Sequence, residues 1–600
     1  MRLLVAASLF AVLQNSHAAP SDVGCSNGVG DVAALIVAID SANVSGGATI
    51  TLAPDCVYTL TSVNNHWYGP NALPPIQSRV VIVGNGSVLQ AVHIGDPTPT
   101  TVNAFRLFYV SGGLEAPAGN LVLQGLTLRG GYAKGGDGNY GGDGAGMGGA
   151  IFNQGTLELD AVTLVANTAQ GGNTDSSHPT GSGGGMGEDA RLDGRGGGFG
   201  GDDLPGAFAN LSKGGSASSV GAGGGGGFLS GDNGSNASSG GNGGGRGGLG
   251  GGTYLSPFAS PSNDGGGNGA NMPFGSGAIS GDGGGFGSGG GDGNYSSMYG
   301  GDGGAGGIGG GGGSGVDGGG GGFGAGGGSG TYAGNGGFGG GGGTGGASWA
   351  AGGFGGGYGG TDVCCFVGGG GAGMGGAIFN HAGAVRMTNV TMTGNSAYGG
   401  TGSGPGNGLG AAIFNLNGSV AISFSTIARN SISAQSPYLN MQSDAAIYSI
   451  AYGNRIQDGG ASTGGLAISN SIVYGTRNAA NEVVNRAVNG LGQNTATLSF
   501  GGGNIVRAYS NTSALDAASV APLTGNPLLG PLGPSGSRDA PPTMPIPSQS
   551  PAYNAASSCL GLDAAPLLTD ERGVPRPHAG SCDIGAYEFD DDYIFASGFE

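Results

Sequence analysis

The apolar positions of this chain follow two periods, and the change between them divides it. Between Asp31 and Asn43, DVAALIVAIDSAN sets Val32, Leu35, Ile36 and Ile39 at helical spacing, with Asp31 placed to cap the first turn. This predicts one amphipathic helix. From Ala48 the period falls to two: ATITLA, VYTLT, RVVIVGNG, FRLFYVSGG and NLVLQGLTLRGG are short strands separated by Gly, Pro, Asn and Asp. No helical stretch separates these strands, so a doubly wound sheet is excluded.

A repeated phrase then sets the architecture. GAGMGGAIFN runs from Gly144 to Asn153 and again from Gly371 to Asn380, and a shortened copy, GLGAAIFN, runs from Gly408 to Asn415. Each copy is followed by an alternating strand that closes on Asn: TLELDAVTLVAN to Asn167, AVRMTNVTMTGN to Asn395 and SVAISFSTIARN to Asn430. A unit this small cannot bury its apolar side alone, and stacked neighbours complete it. The expected fold is all-β, a right-handed parallel β-helix of the pectin-lyase-like solenoid type. The helix near the start covers its open end, where an exposed rung would recruit other chains. Asn153, Asn380 and Asn415 are expected to stack at one corner and Asn167, Asn395 and Asn430 at another, each amide bonding to its neighbours above and below.

Composition changes the picture at one place. Of the 150 glycines, 91 fall between 171 and 370, between the first closing Asn and the second copy of the phrase. Insertions in stacked repeats go to loops, and loop closure costs entropy only logarithmically. The block therefore reads as one expanded loop, either a flexible skirt or a bundle of extended polyglycine segments bonded to each other and punctuated by Phe and Tyr, as in GGFGGGYGG. Calcium is the one cofactor with any support. Two half-matches to a calcium-binding nonapeptide, ending at Asp189 and Asp317, are not in tandem, and Arg191 and Gly319 stand where a large apolar residue is due, so no cofactor is expected.

The 37 acidic and 18 basic residues give a net charge of −19, which argues against nucleic acid as a partner. Residues 1–18 read as a signal peptide, with Arg2, the apolar run Leu3 to Leu13 and the exit Ser16-His17-Ala18. No later run approaches the roughly 20 apolar residues that span a bilayer. Export to an oxidising exterior suits the pairing of Cys25 with Cys56 and of Cys559 with Cys582, while the adjacent Cys364 and Cys365 are left unassigned. The expected divisions are the signal at 1–18, a cap and first coils at 19–170, the Gly-rich insertion at 171–370, further coils at 371–520, a terminal module at 521–589 and a tail at 590–600.

Two resemblances rest on these residues. The GGAI phrase with its closing Asn resembles the GGAI and FxxN repeats of polymorphic outer membrane proteins, with Leu164, Met392 and Ile427 in place of the Phe. DERGVPRP from Asp570 and CDIGAYE from Cys582, preceded by NPLLGPLG and SPAYNA, are similar to the choice-of-anchor Q domain of secreted bacterial β-helix proteins. The second resemblance implies that Asp570, Arg572, Gly573, Arg576, Pro577, Asp583, Gly585 and Glu588 form a terminal motif ahead of a sorting tail, YIFASGFE. From the residues alone, Arg572 and Arg576 can pair with Asp570, Asp583 and Glu588 in a compact end module.

Chemistry has little to work with in the repeats. Glu158 and Asp160 share a strand face as a candidate carboxylate pair, and His381 and Arg386 of the next unit are the side chains that could approach them, although such charges usually serve only solvation. The reading is an exported, non-catalytic surface protein of adhesin-like or structural type, with surface glycans or a neighbouring cell as its class of partner. The alternative is a polysaccharide-binding or polysaccharide-degrading enzyme on the same fold.

Overall fold

The computed structural model describes residues 21–92, 104–113, 116–138, 140–174, 181–190, 196–200, 287, 289–290, 302–361, 367–433, 445–453, 462–488 and 494–590, apart from 513, 517, 535, 537, 538 and 579. The signal at 1–18, Arg191, Cys364, Cys365 and the tail from 591 lie outside them.

Among the described residues the chain is almost entirely β, with one helix, Val32–Ser45. Asp31 caps it by accepting from the Ala34 amide at 2.9 Å, and Gly46 ends it in the left-handed conformation at φ 82°. Its buried residues are Leu35, Ala38, Ile39 and Ala42. Leu35 and Ile39 join the apolar interior with Ile50, Tyr58 and Ile82, so the helix closes that end of the core. Among the described residues no helix is long and apolar enough to cross a membrane, which says nothing of strands that cross as a barrel.

The strands form stacked parallel sheets, and each repeat unit gives strands to each in the same chain order. A 17-stranded sheet includes Asn120–Arg129, Thr156–Val165 and Ala384–Thr393. A seven-stranded sheet includes Phe108–Val110, Ile151–Asn153, Ile378–His381, Ile413–Leu416 and Ile447–Tyr452. Shorter ladders stack Gly146–Met147, Gly373–Met374 and Gly408–Leu409, and Thr168–Gln170 on Ser396–Tyr398. Equivalent letters of the repeated phrase sit in register: Ile151 on Ile378 on Ile413, and Phe152 on Phe379 on Phe414. Asn380 and Asn415 are 35 positions apart, whereas Asn153 and Asn380, equally adjacent in space, are 227 apart. The Gly-rich insertion therefore lies inside one unit.

Bends recur in columns as well. Gly148, Gly375 and Gly410, each five residues before the closing Asn of its phrase copy, hold φ of 69°, 67° and 66°, where a Cβ would meet the carbonyl oxygen three residues on at 2.2–2.3 Å. A second column is mostly not glycine: Ala161, Asn389, Phe424 and Asn470, at φ 46–52°, kink successive strands of the long sheet. A left-handed bend there is strained, so packing on both sides has to impose it. Between the bends, Leu157, Leu159, Val162 and Leu164 stack on Val385, Met387, Val390 and Met392, all buried. Each contributes about 1.5–3 kcal/mol by leaving water.

The described part of the Gly-rich region is an ordered bundle of extended segments, the second of the two states its composition allows. Successive amides of one segment reach different neighbours: Gly341 donates to Asp143 O at 2.8 Å, Gly342 to Gly357 O at 2.9 Å and Gly343 to Gly334 O at 2.9 Å. Gly326, Gly327 and Gly328 likewise reach Gly184, Gly341 and Gly319. A strand would alternate between two sides; a three-way rotation is the three-residue turn of a polyproline-II helix, packed here among copies that run both parallel and antiparallel to it. The bundle also takes in segments outside 171–370, since Gly142 donates to Gly327 O at 2.7 Å and Gly370 to Gly404 O at 2.9 Å. Close packing explains the composition. A Cβ on Gly326 would lie 1.8 Å from Gly142 O, and one on Gly357 1.7 Å from Gly404 O.

Candidate functional site

Among the described residues, the seam between the bundle and the stacked sheets is built from one kind of turn used four times. In Gly307–Gly310, Gly322–Ala325, Gly337–Gly340 and Gly353–Gly356 the fourth amide bonds back to the first carbonyl at 2.8–3.0 Å. The third residue is a left-handed glycine, with φ 76–87°. This is a type II turn, and its second position holds Ile308, Phe323, Phe338 and Phe354. These side chains meet an aromatic ladder on the seven-stranded sheet, where Phe152, Phe379, Phe414 and Tyr448 stack at centroid spacings of 5.0, 5.4 and 5.3 Å. Phe338 meets Phe414 at 6.2 Å, and Phe354 meets Tyr448 at 6.1 Å. Reasoning from sequence passed over this seam. Its signal was there, in the Phe before each closing Asn of the phrase and in Gly-apolar-Gly recurring at Ile308, Phe323, Phe338 and Phe354.

The two sets of asparagines are brought together. Asn153 Nδ2 donates to Asn380 Oδ1 at 2.7 Å, Asn380 to Asn415 Oδ1 at 2.8 Å, and Asn415 to Ser449 Oγ at 3.0 Å. At the other corner Asn167 donates to Asn395 Oδ1 at 2.9 Å and Asn395 to Asn430 Oδ1 at 3.0 Å. All six are fully buried. Outside the first set runs a groove of about 610 Å³ floored by Thr156, Ala384, Ser419, Gly465 and Thr497, which are register neighbours on successive strands of the long sheet. Its walls include Gln154, Asn417 and Thr463, and no lining side chain carries a charge. It can offer hydroxyls and amides to a ligand but no general acid or base.

The candidate catalytic side chains divide between two sheets. Glu158 lies in register with Arg386, which forms an ion pair with the exposed Asp563. Burial, and then Glu158, raise the pKa of Asp160. His381 is on the other sheet, under the bundle. Its ring stacks on Phe323 at 5.1 Å, its Nδ1 lies 3.0 Å from Gln154 Nε2, and burial pushes its pKa down to about 4. The approach of His381 to the carboxylates, open on the sequence, is not made. Asp189 accepts from the Asp137 amide at 2.8 Å, and Asp317 is exposed beside Asp302.

The terminal module gathers its charges inward. Arg572 Nε donates to Asp570 Oδ2 at 2.8 Å, and its guanidinium lies 3.6 Å over the Tyr587 ring. Arg576 donates to Glu588 Oε2 at 2.9 Å, to Asp583 O at 3.1 Å and to Gly585 O at 2.7 Å, with Phe424 of the long sheet's kinked column beneath it. Asp583 accepts from the Asn554 amide at 2.6 Å, and burial pushes its pKa up to about 6. Gly573 and Gly585 supply left-handed turns at φ 87° and 103°, and a cis bond joins Arg576 to Pro577. Cys559 is bonded to Cys582, as Cys25 is to Cys56 at the other end. The module docks on the kinked column of the long sheet, where the Ala586 amide donates to Thr426 Oγ1 at 3.0 Å and Gly585 to Asn470 O at 2.9 Å. Glu571 enters that interface, accepting from Thr163 Oγ1 at 3.0 Å and from the Thr391 amide and hydroxyl. Burial pushes its pKa up to about 8.

Compared with protein-family models, with curated proteins and with solved structures, the chain matches none.

Proposed function

We propose that this chain is an exported, non-catalytic binding protein on a right-handed parallel β-helix, which carries the Gly-rich bundle on one flank and a choice-of-anchor Q-like module on another. The observation that carries this reading is where these ionisable side chains go. Asp570, Glu571, Arg572, Arg576, Asp583 and Glu588 are buried against the coil, His381 is buried under the bundle, and the open groove is lined by neutral groups. The in-register stacking of repeats 35 residues apart supports the solenoid. Two disulfides support an oxidising compartment and an extracellular or outer-surface location.

Incubating the purified full chain with a polysaccharide panel tests it. Retention of one or more polysaccharides with no new reducing ends or unsaturated sugars is expected. Release of either product overturns the reading in favour of a lyase or hydrolase. Cell fractionation with and without residues 590–600 tests the tail, and surface retention that survives the deletion counts against a sorting role.

A further inference from the structure

We infer that the outer end of the Gly-rich bundle binds uncharged oligosaccharides by stacking sugar faces on Trp349 and Tyr332. The inference deepens the binding function proposed above and rests on it. The four turns carrying Ile308, Phe323, Phe338 and Phe354 point at the coil, so the connections at the opposite ends of the same segments point away from it. Those connections are not loose. Asp317 pairs with Tyr332, Gly330 with Gly345, Tyr332 with Ser348 and Gly345 with Thr361, all parallel, so consecutive loops share one small ladder. Behind them the glycine packing leaves no room for adjustment, which makes the bundle a rigid base for short variable loops.

On this base stand the two most exposed aromatic side chains among the described residues, Trp349 at 63% and Tyr332 at 58%. Tyr358 meets the Trp349 ring edge-on at 6.0 Å and holds it in place. Thr331 and Asn335 are exposed beside them. An indole left this wet gives the fold little, since full burial is what stabilises an aromatic ring. The chemistry favours a sugar over a protein. A protein interface needs roughly 800 Å² per side around a contiguous apolar centre, whereas the sequence around these rings is mostly Gly, Ala, Ser and Thr. One pyranose face of C–H groups covers one ring, and its rim of hydroxyls meets Thr331 and Asn335. Asp302 and Asp317 lie at the same end and the chain carries −19, so acidic glycans are repelled.

The chain has two tryptophans, and Trp67 is buried, so acrylamide quenching and ligand-induced emission shifts report largely on Trp349. The full chain is titrated with uncharged tetrasaccharides of glucose, galactose and N-acetylglucosamine, and with oligogalacturonate as the acidic control. The expected result is a blue shift and protection from acrylamide quenching with one or more uncharged sugars. Trp349→Ala is expected to weaken binding about tenfold or more by affinity measurement, with Trp349→Phe retaining part of it and the Tm unchanged. Sugar binding undiminished in a Trp349→Ala/Tyr332→Ala double variant overturns the inference and leaves the binding function standing, with the coil groove as the next place to look. Binding of oligogalacturonate alone, of a protein alone, or of no probe overturns the assigned sugar class.

Discussion

Phe338, at the tip of a polyglycine turn, meets Phe414, in the third copy of the repeated phrase, at a centroid distance of 6.2 Å and an interplanar angle of 70°. The contact joins two structures with different periods, a three-residue helix of glycines and a two-residue strand. Phe338→Ala removes a ring that is 8% exposed and is expected to cost about 3–4 kcal/mol at the seam. Limited proteolysis checks it: cutting within 302–361 should accelerate while the coil fragment stays intact.

Glycine spacing makes a sharper prediction, because two neighbouring glycines differ. A Cβ on Gly326 would lie 1.8 Å from Gly142 O, while the nearest atom to one on Gly320 is Asn335 O at 3.8 Å. Gly326→Ala should lower stability by about 2–3 kcal/mol and Gly320→Ala should be nearly silent. Thermal melts of the two variants decide it.

Much of the parallel, in-register stacking was legible in the sequence, and for a physical reason. Register neighbours in a stack face the same surroundings, so Asn153, Asn380 and Asn415 are the same letter because they occupy the same corner. The terminal charges were legible for a similar reason, since Arg572 and Arg576 are close in sequence to the acids they meet. The bundle was not. A flexible chain and a close-packed array are both made of glycine, and what separates them is contact between segments far apart, such as Gly142 with Gly327. Nor did the strand pattern reveal that Glu571 crosses from the module into the coil, because its partners Thr163 and Thr391 lie 408 and 180 positions away.

Glu571 gives the module a pH dependence. Folded, its carboxyl holds a proton up to about pH 8 because burial disfavours the charge; unfolded, it releases that proton near 4.5. Between those values the folded state binds more protons. The contribution to stability is therefore complete below about 4.5 and is lost as pH rises to about 8. Tm measured from pH 5 to 9 should fall less steeply in Glu571→Gln, which keeps the threonine contacts without the ionisation.

Asn380→Ala tests the first column of amides. It strands Asn415 Oδ1 and removes the acceptor at 2.7 Å from Asn153, all in a dry corner. A loss of about 2–3 kcal/mol is expected, with sugar binding unchanged. A Tm equal to that of the parent would show that the column carries no stability.

The claim on which the rest depends is that the described part of the Gly-rich insertion is folded, and amide hydrogen exchange reads this directly at Gly183, Gly311, Gly326 and Gly341, which donate across the bundle at 2.8–2.9 Å. The predicted result is protection comparable to that of coil amides such as Leu159 and Met387. Exchange at the rate of an unstructured glycine peptide would contradict it.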